Sequence, residues 1–223
     1  MTLARRVAAE ALGSLLLAAT VIGSGIMAEH LADGNAAIAL LSNTGATVAV
    51  LAVLIALLAP VSGAHMNPAV TLMKAVRGTL SASEAGAYVL AQVLGCCAGA
   101  VLAHAMFGVA LLQTSTHARS GIGEYLGEFV ATAGLLAIVL GNRRAQNAPW
   151  MVAAWIGGAY WFTSSTSFAN PAITVARCLS NTFAGIRPVD VPAFVCAQLA
   201  GALAGAAIAR LVLEDRGAGA STA

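Results

Sequence analysis

Three long stretches of this chain contain no Asp, Glu, Lys or Arg: Gly34 to Met73, Ala85 to Ala118 and Ala145 to Ala176. Each exceeds the roughly 20 residues a helix needs to cross about 30 Å of hydrocarbon. The whole chain of 223 residues is 59% hydrophobic and 9% charged, whereas soluble domains carry about a quarter charged residues. The fold class this predicts is an all-α membrane protein that crosses the bilayer several times. A net charge of +2 is too small to call for a nucleic-acid partner.

Hydropathy and helix breakers predict six spans, near 7–28, 37–59, 85–107, 122–141, 149–165 and 191–213. Two shorter helices begin at Pro68 and Pro171 and run to about Arg77 and Ser180. Such a piece is roughly 15 Å long, half a bilayer. The run after Arg5 and Arg6 continues to Ala28 with Glu10 inside it, so it reads as a retained first span rather than a signal peptide. Residues 217–223 read as a disordered tail. With both termini in the cytoplasm, the inner segments hold eight of the eleven Lys and Arg and the outer ones three, Arg119, Arg177 and Arg187. That asymmetry favours this orientation, and six spans permit it.

The two halves repeat, one at about 1–112 and the other at about 120–216, within a single domain over 1–223. The segment Ala87 to Gly95, with Gln92, reads like Ala193 to Gly201, with Gln198, and Glu10 is answered by Glu128. Three spans per copy is odd, so the second copy enters from the opposite face and the functional site belongs near the midplane.

Asn67-Pro68-Ala69 and Asn170-Pro171-Ala172 occupy corresponding places in the two copies. Asn is a strong N-cap, and Pro suits the first helical position because its missing N–H would be unpaired there. One such tripeptide is weak evidence. Two, inside charge-free membrane segments, predict half-helices whose N-termini meet at the midplane. Each would bring roughly half a positive charge, repelling protons and cations, while the asparagine amides donate to a passing oxygen. Broken helix at this depth is tolerated only where it is buried or lines a water-filled cavity.

Those motifs, the six spans, Ser62-Gly63-Ala64-His65 before the first motif and the paired glutamates resemble the aquaporin, or major intrinsic protein, superfamily. The resemblance implies a right-handed bundle, a homotetramer with one pore per subunit, and passive permeation in the plasma membrane. It implies that Glu10 and Glu128 hydrogen-bond the backbone of the motif loops. By offset from the asparagines it also places the selectivity filter at Thr47, Gly158, Ser167 and Ile173. Most members carry Arg where Ile173 stands. The filter should therefore be wide, apolar on one side and hydroxylated on the other, suiting glycerol, urea or neutral arsenic(III) trihydroxide besides water. The run Ile173 to Ile186 resembles a bacterial subgroup with an apolar residue at this position, some members of which are linked to arsenic resistance and organoarsenical permeation.

Arg177, one turn beyond Ile173, reads as a loop or vestibule arginine, with a displaced filter cation as the alternative. His65 reads as a vestibule or packing residue, or as a pH gate. Tyr160, Trp161 and Phe162 read as interfacial anchors, and Cys96, Cys97, Cys178 and Cys196 as apolar packing residues. No cofactor, metal site or enzymatic nucleophile–base pair is expected. A coupled transporter would need acidic ligands beside the breaks, and no Asp or Glu lies within ten residues of either motif. A strict water channel and a poorly conducting structural protein remain the alternatives.

Overall fold

The computed structural model describes residues 1–213, so the expected tail at 217–223 lies outside the described residues. Eight α-helices fill the described chain: α1 (Leu3–Leu31), α2 (Ala36–Ser62), α3 (Pro68–Val76), α4 (Ala82–Phe107), α5 (Ile122–Gly141), α6 (Ala148–Phe162), α7 (Pro171–Arg177) and α8 (Val191–Ile208). A short π-helical stretch, Ala209–Leu213, continues α8.

The boundaries follow local chemistry. Asn35 caps α2 by accepting from the amides of Ala37 and Ile38. Ser81 and Glu84 form a reciprocal capping box at the start of α4, satisfying two donors that the first turn leaves free. Gly63 ends α2 in the left-handed region with φ 91, where a side chain would be strained.

Among the described residues, five helical segments are long and apolar enough to cross a membrane: α1, α2, α4, α5 and Pro188–Leu213. The span predicted at 149–165 differs. α6 has 15 residues and ends at Phe162, roughly 22 Å at 1.5 Å per residue. It stops early because the chain must turn inward. Thr166, Ser167 and Ala169 adopt left-handed backbone at φ 59, 49 and 46, which a helix cannot continue through. The first half-helix ends at Val76, within a residue of the expected end, and the second at Arg177, three residues short of Ser180.

The inverted repeat is visible in the packing. α1 packs on α4 and α2, while α5 packs on α8 and α6, and α2 meets α6 where the copies join. Each half-helix also reaches the opposite copy, α3 touching α8 and α7 touching α4. Glycines allow the two closest crossings. A Cβ at Gly95 or Gly99 would strike the carbonyls of Ala11 or Leu15, and one at Gly201 or Gly205 those of Phe129 or Ala133. These are the same four-residue spacing in both copies, the small-residue contact that lets membrane helices approach. The outer surface is studded with exposed apolar side chains, among them Leu57, Leu90, Leu94 and Leu203, as contact with acyl chains requires. Glu10, Gln92, Glu128 and Gln198 are buried inside.

Candidate functional site

The two motif loops are built on one plan. Asn67 caps α3, its Oδ1 accepting from the Ala69 amide at 2.9 Å. Asn170 caps α7, accepting from Ala172 at 3.0 Å and Ile173 at 3.4 Å. Each asparagine then reaches across to the other loop. Asn67 Nδ2 donates to the Ala169 carbonyl at 2.8 Å, and Asn170 Nδ2 to the Met66 carbonyl at 2.8 Å. The two helix starts are thus strapped head to head. An amide nitrogen carries two hydrogens, so one remains on each asparagine for a molecule between them.

The glutamates hold these loops in place. Both are fully buried. Glu10 accepts from the Ser62 hydroxyl at 2.6 Å, the His65 amide at 2.9 Å, the Met66 amide at 2.6 Å and Gln92 Nε2 at 2.7 Å. Glu128 accepts from the amides of Phe168 and Ala169, each at 2.8 Å, and from Gln198 Nε2 at 2.6 Å. A buried carboxylate is costly unless hydrogen-bonded, and here the donors are the loop amides themselves. Ala64 and Met66, like Ser167 and Ala169 three residues and one residue before the other asparagine, sit at positive φ. Non-glycine residues enter that region only when surrounding contacts enforce it, and the glutamate bonds do so here.

Sequence reasoning noted Gln92 and Gln198 only as repeat markers. They also bridge from each glutamate to a half-helix threonine, Thr71 at 2.9 Å and Thr174 at 2.8 Å. Their matched position in both copies, with a threonine four residues past each asparagine, was the available signal.

One cavity of about 420 Å³ runs between the halves. Both asparagines line it. Its α3 end is bordered by His65, Lys74, Asn142 and Arg143, and its α7 end by Thr47, Tyr160, Ser167, Phe168, Ile173 and Arg177. His65 lines that α3 end and is also packed, 3.1 Å from the Thr71 hydroxyl and edge-on to Tyr88 with ring centroids 5.5 Å apart.

Three of the four expected filter residues, Thr47, Ser167 and Ile173, come together at the α7 end, all buried. Gly158 does not join them. It is exposed, and a Cβ built there would meet only Phe162, at 4.0 Å. Helical phase explains the correction. Val152, Ile156 and Tyr160 line the cavity at four-residue intervals, and a residue two positions from each of the last two points to the opposite side. Tyr160 therefore occupies the wall assigned to Gly158. It is 3% exposed, so it is not an interfacial anchor, although Trp161 and Phe162 do face outward.

Arg177 is likewise not a loop arginine on the surface. It is 2% exposed and lines the cavity. Its Nε donates to the Ala184 carbonyl, and its guanidinium carbon stands 3.4 Å from the centroid of the Phe168 ring. Arg119 covers the same ring at 4.9 Å. Arg119 is tied by its side chain to the carbonyls of Gly185 at 2.8 Å and Ser165 at 3.3 Å, which fastens the α4–α5 and α7–α8 connections over the cavity mouth. His104 is buried and ties α4 to the same connection through Ser180 at 2.9 Å.

Comparison with known proteins agrees with this geometry. The family described as Major intrinsic protein matches residues 1–162. Aquaglyceroporin AqpS of Rhizobium meliloti (strain 1021) is 50% identical over 214 residues, covering 95% of this chain and 91% of that protein. Probable aquaporin AqpM of Archaeoglobus fulgidus is 28% identical, covering 92% and 96%. The X-ray structure of the aquaglyceroporin from Plasmodium falciparum has the same fold, with a TM-score of 0.70 at 19% identity and coverage of 95% and 97%. The matched family residues end at Phe162, before the second loop and α7, yet the likeness to AqpS runs through them. A family match over most of the chain and half-identity along nearly all of it lead to one assignment: the chain belongs to the major intrinsic protein family.

Proposed function

We propose that this protein is a passive channel for small uncharged solutes, water and glycerol-like polyols among them, and that the paired half-helices exclude protons and other ions. The observation that carries the reading is the reciprocal strap between Asn67 and Asn170. It holds two helix N-termini, with their partial positive charges, against one cavity, and it leaves an amide hydrogen on each side for a solute oxygen. The name and likeness of the Rhizobium relative support solutes larger than water. Neutral arsenic(III) trihydroxide has the same size and hydroxylated character.

Thr47, Ser167 and Ile173 are the filter residues in this reading, with Tyr160 in place of Gly158. Ile173 is the apolar wall and the two hydroxyls face it. The protein sits in the plasma membrane as a homotetramer with both termini in the cytoplasm, which puts the α7 end of the cavity outside.

Substitution at position 173 tests the filter. In reconstituted liposomes Ile173→Arg should lower glycerol and urea permeability at least fivefold, with osmotic water flow changed less than twofold. Arg adds a long cation to the wall, and the narrowed opening obstructs the larger solute first. Glycerol uptake equal in the two proteins would show that position 173 does not set the cutoff.

A further inference from the structure

Three side-chain polar atoms at the α7 end of the cavity are buried and have no hydrogen-bond partner among the described residues: Arg177 Nη1, Thr47 Oγ1 and Ser167 Oγ. Their residues are each 2% exposed, and all three line the cavity. Buried polar groups in folded proteins are nearly always paired, and leaving one unpaired costs free energy. Three such atoms from α2, the second motif loop and α7, gathered at one cavity end, are a site whose partner comes from the cavity.

The neighbours make Arg177 a fixed donor rather than a drifting cation. The Ala184 carbonyl holds Nε, and Phe168 supports the guanidinium plane from one face. No carboxylate among the described residues lies within ion-pair distance of Arg177, so no salt bridge ties up the guanidinium. Arg119, on the same ring, has side-chain bonds to loop carbonyls and no unpaired buried atom. The two arginines therefore differ: Arg119 is structural, and Arg177 has capacity to spare.

We infer that Arg177 Nη1, Thr47 Oγ1 and Ser167 Oγ form a binding subsite for an uncharged, hydroxyl-bearing solute at the α7 end of the cavity. The guanidinium donates to a solute oxygen. The two hydroxyls accept from, or donate to, its other hydroxyl groups, and Ile173 contacts its carbon face. The same fixed positive charge is a second barrier to cations, set one helical turn beyond Ile173. This assignment rests on the channel reading above and deepens it.

The test compares wild type, Arg177→Met, Arg177→Lys and the double variant Thr47→Val with Ser167→Ala in liposomes. Three quantities are read: osmotic water flow, glycerol uptake, and sodium or proton leak under an imposed membrane potential. Arg177→Met is expected to lower glycerol uptake at least fivefold relative to water flow and to raise cation leak several-fold. Arg177→Lys keeps the charge without the planar fork, so glycerol uptake falls while leak stays at the wild-type level. The double variant loses glycerol uptake at least threefold with no change in leak. It answers for the subsite even where Arg177→Met fails to fold. Glycerol uptake and leak at wild-type levels in the folded Arg177 variants, or unchanged glycerol uptake in the double variant, would overturn the subsite. A wild-type protein that passes neither water nor glycerol would instead overturn the channel reading itself.

Discussion

Glu10 and Glu128 are the residues on which the site's geometry depends. Each gathers two backbone amides from a loop that has no secondary structure of its own, and each carries a glutamine that reaches a half-helix threonine. Removing a carboxylate leaves those donors buried without acceptors. Each orphaned donor costs about 1–3 kcal/mol, and the left-handed residues beside it lose what enforces them. Glu128→Ala should therefore lower the thermal unfolding midpoint in detergent by at least 10 °C and abolish solute flux, whereas Glu128→Gln, which keeps one acceptor oxygen, should lose less of both. A midpoint unchanged in Glu128→Ala would mean that the loop is held by something else. These glutamates were legible in the sequence because they recur at matching places and because a carboxylate in an apolar span needs donors. Gly158 was misplaced for an equally concrete reason. Counting from a motif across a connection of unknown shape fixes a position along α6 but not its helical phase, and the two-residue error turned the residue away from the cavity. The four-residue stripe Val152, Ile156, Tyr160 carried the right phase.

At the scale of elements, the crossings α1–α4 and α5–α8 decide whether the halves close. Gly99 and Gly205 meet backbone carbonyls of the facing helix, so no rotamer change can relieve an added side chain. Gly99→Val should leave little monodisperse protein in detergent. Gly86, also on α4, has nothing within 4 Å of a built Cβ. Gly86→Ala should be neutral or stabilise by roughly 0.4–1 kcal/mol, because it restricts the unfolded chain at a helical position. Equal yields of the two variants on size-exclusion chromatography would contradict the close-approach account. The long helices were legible from apolar length alone. The short reach of α6 was not, because the turn at Thr163 is imposed by the pull of Glu128 on the loop beyond it, a contact between residues forty apart in the chain.

Over the whole molecule, two copies of one three-helix plan enter from opposite faces and meet at the asparagines. The sequence announced this through paired motifs, paired glutamates and paired glutamine segments. It did not announce that Arg177 would be turned inward, since that depends on Phe168 and Ala184 arriving from other parts of the fold. The molecular claim, as proposed above, is that this arrangement conducts without coupling: the carboxylates behind the motif loops, Glu10 and Glu128, are taken up by loop amides and glutamines, and the two helix ends are proposed to oppose cation passage. The direct measurement is glycerol movement in proteoliposomes with independently imposed glycerol, sodium and proton gradients, recorded together with current under voltage. The account predicts flux in either direction that follows the glycerol gradient alone and stops when it is spent, with no current above protein-free vesicles. Glycerol accumulating against its gradient when a sodium or proton gradient is applied, or a voltage-driven current that scales with protein, would contradict it.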